Sequence, residues 1–284
     1  MQNIKLIIEL TRLNKPIGFM LLFWPCLWGL TLSYNFNLPL NIFFFYGILF
    51  FSGSVLMRSA GCIVNDIVDR NFDKKVSRTK NRPIASGKVS VLKALVYASV
   101  LCIFAFLVLI NFNYLTIIFA IASMPFAFTY PLMKRFTYWP QLFLGLTFNW
   151  GIIMGWTAMT DQISYEIVIL YVSAIFWTLG YDTIYGIQDV EDDEIIGIKS
   201  TAIKFKKNIK FFVSICYLIT SLAIIYLFYK NLGVNLTTLF LAMFILSLIY
   251  QVIFFNKNNP NSCLKAFKLN NYSGMFLFFS FLFG

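Results

Sequence analysis

The sequence lacks histidine altogether, and its few cysteines are scattered. Without histidine there is no Ser-His-Asp triad, no imidazole general base and no histidine-ligated metal site. No two cysteines form a Cys-X-X-Cys pair, so they read as small apolar residues rather than as disulfides or zinc ligands. The chemistry of this chain must therefore rest on carboxylates, amides, cations and hydroxyls.

Charged side chains are also scarce. They make up 12 % of the 284 residues, against roughly a quarter in soluble domains. Apolar residues make up 59 % and aromatic residues 19 %, and the mean hydropathy is +0.75. Most of the apolar surface that these residues form must lie in lipid. In a membrane protein the net charge of +11 reports loop orientation, and we expect no nucleic-acid partner.

Apolar stretches long enough to cross a bilayer recur along the whole chain. They predict an all-α, polytopic bundle of about nine transmembrane helices in a single domain, 1–284. The predicted helices are 16–34, 42–66, 91–110, 114–133, 140–159, 165–187, 210–229, 236–255 and 270–284.

The basic residues are distributed very unevenly between the two sides of these helices. Twenty-one of the 23 fall before the first helix or after an even-numbered one, while Lys230 lies on the other side and Arg58 inside the second helix. Because loops rich in lysine and arginine stay inside, the pattern predicts a cytoplasmic N-terminus.

Nine of the twelve acidic residues form two clusters, which lie at the ends of the second and sixth helices and therefore share one side. In the first, Asn65, Asp69 and Asp73 recur at intervals of four along one helix face. In the second, Asp182, Asp189 and Asp193 are spaced by seven and four. Like charges at this spacing repel, so two such sets at equal depth favour a shared cation.

Oxygen ligands alone select a hard ion. Magnesium fits best, because it commonly bridges a few carboxylates to phosphate, whereas calcium usually needs more ligands and a sharp glycine turn. The alternative is that both clusters are ordinary solvated helix ends. Nearby arginines and lysines favour a magnesium–diphosphate site, in which cations take the phosphate oxygens that the metal leaves free.

Arg58 lies within the second predicted helix, seven residues before Asn65 and about two turns deeper. A cation inside a span usually has a partner or a function. Two interpretations are open: an ion pair with Asp182, or a counter-ion for a carboxylate on a substrate.

Several motifs together are recognisable. Residues 57–70, continuing through Asp73 to 81–87, resemble the first signature of the UbiA-type intramembrane prenyltransferases. Residues 182–185, Asp189, 192–193 and 197–201 resemble the second, and 12–18, 24–25 and 130–135 are also similar. The resemblance is closest to the branch that prenylates 4-hydroxybenzoate in ubiquinone biosynthesis. Asn14 departs from that branch, which often has aspartate there.

The resemblance implies a helix bundle whose central cavity opens laterally to lipid, in a bacterial inner membrane. The implied substrates are polyprenyl diphosphate and 4-hydroxybenzoate, and the implied cofactor is Mg²⁺. By position, the metal and diphosphate ligands are Asn65, Asp69, Asp73, Asp189 and Asp193. Arg82, Lys134, Arg12, Arg70 and Arg135 would contact phosphate, and Arg58 would contact the aromatic acid.

Asp182 is the candidate for a group that polarises the acceptor. Phenylalanine and tyrosine rings could stabilise an allylic carbocation, although such rings more often only pack against lipid. Two alternatives remain: a family member with another acceptor, such as haem, homogentisate or a naphthoate, and a cation-coupled transporter. Transporters place paired acids near the membrane midplane, whereas these acids lie at one rim.

Overall fold

The computed structural model describes residues 2–34 and 38–284, and every regular element in them is helical. The α-helices are α1 (Gln2–Thr11), α2 (Ile17–Ser33), α3 (Leu40–Asp73), α4 (Val91–Leu109), α5 (Tyr114–Phe136), α6 (Pro140–Phe148), α7 (Gly151–Thr157), α8 (Tyr165–Gly186), α9 (Val190–Ile196), α10 (Thr201–Lys204), α11 (Ile209–Phe228), α12 (Leu236–Phe254) and α13 (Pro260–Leu282). The predicted all-α class is confirmed.

The prediction of nine membrane spans is not reproduced as stated. Within the described ranges, six helical segments are long and apolar enough to cross a membrane: α3, α4, α5, α8 with its continuation to Ile196, α11 and α12. Helix α2 is apolar but shorter. The predicted fifth span consists of two short helices, α6 and α7. The predicted ninth span corresponds to α13, which begins at Pro260 rather than at 270. The prediction missed this start because the first residues of α13 are polar.

The break between α6 and α7 has a visible polar partner. The side chain of Asn149 donates to the carbonyl oxygens of Gly145 and Ala174, at 2.8 and 3.0 Å, and to the hydroxyl of Thr178 at 2.8 Å. An interrupted helix is tolerated at membrane depth where neighbouring helices satisfy its polar groups.

Helix α2 lies inside the bundle, where it packs against α3, α7 and α13. Glycines allow the close approach to α7: a Cβ on Gly29 would meet the carbonyl oxygen of Ile152, and one on Gly155 would meet that of Cys26. The remaining helices surround this pair, with α8 against α6, α11 and α13, and α12 against α11 and α13.

Helix α3 is much longer than a membrane is thick. Its 34 residues extend about 51 Å, whereas the hydrocarbon core is about 30 Å across. The last turns of α3, which carry the first acidic cluster, can therefore project beyond the hydrocarbon. We call this end of the molecule the acidic end.

Candidate active site

The first acidic cluster consists of three buried aspartates on α3. Asp66, Asp69 and Asp73 are 2 %, 1 % and 6 % exposed. Their spacing of three and four places them on one helix face. Cations from three other parts of the chain contact them, which is what buried carboxylates require.

Two arginines contact the outer members of this cluster. Arg12, which follows α1, pairs with Asp66, and Arg82 from the α3–α4 loop bridges Asp66 at 3.1 Å and Asp73 at 2.8 Å. Arg12 has a φ of +56°, which is uncommon for a residue other than glycine. Such backbone outliers cluster at functional sites, because surrounding contacts hold them there.

The end of α5 supplies the cations for the middle aspartate. The Nζ atom of Lys134 lies 2.5 Å from Oδ2 of Asp69, and Arg135 lies 3.9 Å from Oδ1 while donating to the carbonyl of Val68 at 2.9 Å. Oδ1 of Asp69 is buried and has no hydrogen-bond partner among the described residues. It is an oxygen donor that a bound cation would satisfy.

The second acidic cluster follows a break in the helix. A single 3-10 turn, Ile187–Asp189, separates α8 from α9. The Arg78 guanidinium donates hydrogen bonds to both carboxylate oxygens of Asp189, at 2.7 and 2.5 Å, and to the Tyr185 hydroxyl at 3.1 Å. Burial is the largest single influence on the pKa of Arg78 and lowers it, but the contacts with Asp189 and Tyr185 together outweigh burial, so the pKa is raised.

Further contacts join the two clusters. The backbone N–H of Ser77 donates to Asp192 at 3.1 Å, so the α3–α4 loop contacts two aspartates of the second cluster, Asp189 and Asp192. Lys134, which pairs with Asp69, also interacts electrostatically with Asp193. The backbone N–H of Lys199 donates to the Lys134 carbonyl at 2.8 Å and ties the segment after α9 to the end of α5.

A cavity lies among α2 to α7, and the space inside it and at its open mouth amounts to about 1270 Å³. Most of its wall is apolar. Its aromatic lining residues are Phe50, Phe112, Phe128, Tyr130, Phe148 and Trp150. Arg58 is the only charged residue among the described residues that line it.

Arg58 carries a charge that has no carboxylate partner. None lies within 4.0 Å among the described residues, and its buried Nε has no hydrogen-bond partner. The guanidinium lies 5.5 Å from the centre of the Phe148 ring and interacts electrostatically with Tyr130 and Tyr185. The ion pair with Asp182 that the sequence left open is therefore not formed in this structure.

The structure brings most of the expected site residues together. Asp69, Asp73, Asp189, Asp193, Arg12, Arg82, Lys134 and Arg135 all contribute to the joined clusters. Asn65 and Asp182 are half-buried, and neither has a side-chain hydrogen bond within the described ranges. Arg70 is exposed and pairs with no carboxylate there.

The patterns in the sequence did not single out three residues of this site. Asp66 lies one position after Asn65, off the four-residue spacing that drew attention to its neighbours. Arg78 was one of several loop cations, with nothing in the pattern to distinguish it. Tyr185 lies four residues before Asp189, and that helical spacing alone could have suggested it.

The residues present fit a hard divalent cation, although their side chains pair with cations of the protein itself. No group of three or more Cys, Asp or Glu side chains in the described part of the chain is arranged to hold an ion. The aspartates of the two clusters form ion pairs with arginine and lysine side chains instead. The donor set is nevertheless all oxygen, which magnesium prefers, and the unpaired oxygen of Asp69 lies within it.

Known proteins resemble this chain over nearly its whole length. The family model described as the UbiA prenyltransferase family matches residues 22–280. A mitochondrial 4-hydroxybenzoate polyprenyltransferase of Bos taurus is 41 % identical over 98 % of this chain and 74 % of the relative. A 4-hydroxybenzoate octaprenyltransferase of Vibrio atlanticus is 41 % identical over 94 % of this chain and 93 % of the relative.

Solved structures share the fold. A UbiA homolog from Aeropyrum pernix K1 superposes with a TM-score of 0.76 at 24 % identity, covering 92 % of this chain and 94 % of that one. A UbiA homolog from Archaeoglobus fulgidus bound to GPP and Mg²⁺ gives 0.74 at 17 % identity, covering 97 % and 98 %. The protein is thus a multi-pass membrane protein, and it belongs to the UbiA prenyltransferase family.

Proposed function

We propose that this protein transfers a polyprenyl group from polyprenyl diphosphate to 4-hydroxybenzoate, with Mg²⁺, as a step of ubiquinone biosynthesis. The observation that carries the proposal is one arrangement of charge. Two acidic clusters meet at the acidic end, beside an apolar cavity in which Arg58 is the single cation, and it lacks a carboxylate partner, among the residues that the structure describes. The names of the relatives at about 40 % identity support the same acceptor.

The metal and diphosphate would be held at the joined clusters. Asp69, Asp73, Asp189 and Asp193 are the proposed magnesium ligands, with Asn65 completing the set. Arg82 and Lys134 already contact these acids, so they can shift to phosphate oxygens without leaving the site. Arg12, Arg78 and Arg135 lie near enough to assist, whereas Arg70 would have to turn inward.

Arg58 would hold the acceptor. A carboxylate in the cavity would satisfy both the unpaired Nε and the positive charge, and a guanidinium can bind it through two parallel hydrogen bonds. The aromatic ring of the acid would then lie close to Phe148 and Tyr130, which contact or approach Arg58. Asp182 remains the proposed candidate for polarising the phenol, since it interacts electrostatically with both Arg58 and Asp189 and so lies between the cavity and the second cluster.

The cavity suits the prenyl chain. Its apolar wall would accommodate an isoprenoid tail. The described residues of α4 and α5 line the cavity but make few contacts with each other, so the tail could pass between these two helices and remain in lipid. Six aromatic residues face the space in which positive charge would develop on the prenyl carbon. The apolar side chains that line the cavity would also exclude water, which would otherwise react with the carbocation.

The reaction follows from these parts. The bond between prenyl carbon 1 and the diphosphate oxygen breaks, and the diphosphate leaves with the electron pair. Magnesium held by the aspartates of the two clusters would supply positive charge that favours this departure. Arginine and lysine of the clusters stabilise the released anion. The allylic cation forms a bond with the ring carbon ortho to the hydroxyl, and a base accepts the proton from that carbon, which restores the aromatic ring.

We further propose that residues 1–284 act as one prenyltransferase domain in a bacterial inner membrane, with the acidic end and the N-terminus facing the cytoplasm. The distribution of basic residues supports this orientation.

The test is prenyl transfer by the purified full chain in detergent. Isotope-labelled prenyl diphosphate is offered with 4-hydroxybenzoate, homogentisate or a dihydroxynaphthoate, with Mg²⁺ or with a chelator. We expect 3-polyprenyl-4-hydroxybenzoate only with Mg²⁺. Preference for another acceptor would contradict the proposed substrate, and failure with every acceptor would favour the transporter.

A further inference from the structure

The last third of the chain has an unusual charge composition. Residues 195–284 contain nine lysines but no arginine, aspartate or glutamate. Lys206 reaches back to Glu194 at 2.7 Å, and Lys210 donates to the Ile253 carbonyl at 3.4 Å. The other lysines of this region have no carboxylate within 4.0 Å in the described part of the chain, so they are free to contact an anion from outside the protein.

Two of these lysines line a groove between α12 and α13. Its walls are formed by Tyr250, Phe254, Lys265, Lys268, Leu269 and Tyr272, and it opens outward from the bundle with about 570 Å³ of space. We call it the lysine groove. It is separate from the cavity described above and shares no lining residue with it.

The groove has a cationic wall and an aromatic wall. Lys265 and Lys268 are three residues apart on α13, and so lie on one face. Opposite them, the rings of Tyr250 and Phe254 are stacked with centroids 5.4 Å apart. Tyr250 is 52 % exposed and Tyr272 is 54 % exposed. Cations beside exposed tyrosines are typical of the boundary between lipid tails and headgroups.

The depth of the groove agrees with this boundary. Phe267 lies on α13 between the two lysines, and its ring centroid is 4.6 Å from that of Tyr185. Tyr185 in turn accepts a hydrogen bond from Arg78 at the second acidic cluster. The groove therefore lies on the face of α13 turned away from Tyr185, at the level of the acidic end.

We propose that the lysine groove binds an anionic glycerophospholipid. The headgroup phosphate would contact the ammonium groups of Lys265 and Lys268, and the acyl chains would lie against Leu269 and the tyrosine rings. Charge complementarity selects this occupant, because the whole segment offers no carboxylate to the two lysines. A zwitterionic lipid would bring its own cation toward the same lysines and would bind less well.

The test counts bound lipids on the full-length protein in detergent by native mass spectrometry. Phosphatidylglycerol and phosphatidylcholine with identical acyl chains are compared. We expect a preference of about tenfold or more for phosphatidylglycerol. The double variant Lys265→Gln/Lys268→Gln should lose it. The matched double variant Lys207→Gln/Lys230→Gln removes the same charge elsewhere and should keep it.

Two further measurements distinguish a phospholipid seated in the groove from a free phosphate or diphosphate attracted to the same lysines. Leu269→Trp fills the groove while keeping both lysines, and it should also lower phosphatidylglycerol binding. Inorganic phosphate and geranyl diphosphate are added as competitors, and neither should displace the phospholipid. The proposal is overturned if the lysine double variant retains the preference, if both double variants lose it equally, if Leu269→Trp has no effect, or if either competitor displaces the lipid.

Discussion

Arg78 holds Asp189 through two hydrogen bonds, from Nε to Oδ1 at 2.7 Å and from Nη2 to Oδ2 at 2.5 Å. The pair joins the α3–α4 loop to the 3-10 turn between α8 and α9. Asp189 is also a proposed magnesium ligand, so the guanidinium and the metal compete for the same oxygens. In the structure Arg78 neutralises Asp189, and a metal bound by Asp189 would have to displace the guanidinium.

This competition gives a first prediction. Arg78→Ala should tighten Mg²⁺ binding in the absence of substrate by about threefold to tenfold, because Asp189 loses a charge partner. Calorimetric titration of the substrate-free protein with Mg²⁺ measures the change. Lys80→Ala, an exposed neighbour with no carboxylate contact in the described structure, is the control and should titrate like the parent. Weaker Mg²⁺ binding by Arg78→Ala would show that the pair supports the metal site.

The second prediction concerns the joining of the clusters. Asp69→Ala and Asp189→Ala should each lower turnover by at least about 100-fold, because each removes a ligand from one shared metal site. Prenyl transfer is measured across a range of Mg²⁺ concentrations, and thermal unfolding checks that the fold is intact. Glu191→Ala, which changes an exposed acid beside the second cluster, should retain most activity. Near-normal rates for either aspartate variant at low Mg²⁺ would rule out a shared site.

Particular residues show which features of the fold and of the site could be predicted from the sequence. The two clusters, their common end and the depth of Arg58 all follow from spacing and hydropathy, and the helical class is confirmed. The start of α13 was missed because Lys265, Lys268 and Asn270 lower the local hydropathy. The partners that allow Asn270 to be buried come from other helices, which no local pattern reveals. Arg78 could not be distinguished for the same reason.

Those partners give a third prediction, about stability. Asn270 accepts a hydrogen bond from the Trp177 indole at 2.8 Å and donates to Gln251 at 2.9 Å, and Tyr217 donates to the same Gln251 oxygen at 2.7 Å. Asn270→Leu would leave buried polar atoms unpaired and should lower the free energy of unfolding by about 1–3 kcal/mol. Thermal unfolding in detergent measures this, with Asn258→Leu in an exposed loop as the control. Equal melting temperatures would mean that the network adds nothing.

The fourth prediction tests the proposed orientation. Lys207 and Val234 are exposed and flank the 20 residues of α11, so they lie on opposite sides of the membrane. Lys207→Cys should react with a membrane-impermeant maleimide only from the cytoplasmic side, and Val234→Cys only from outside. The parent chain is the background control, since four of its cysteines are buried and the exposed Cys102 lies within the apolar α4. The reverse labelling pattern would invert the topology.

The last prediction tests Arg58 as the acceptor site. Arg58→Ala should raise the KM for 4-hydroxybenzoate more than about tenfold, because the carboxylate loses its charge partner, with little change in the KM for prenyl diphosphate. Gly18→Ala provides a second approach that keeps the arginine. A Cβ on Gly18 would lie 2.8 Å from Nε of Arg58, and should push the guanidinium aside and raise the same KM by up to about tenfold. Gly47→Ala is the control, since a Cβ there meets nothing within 4 Å. If only the KM for the diphosphate rises, Arg58 binds the other substrate, and equal rises in both would mean a structural role.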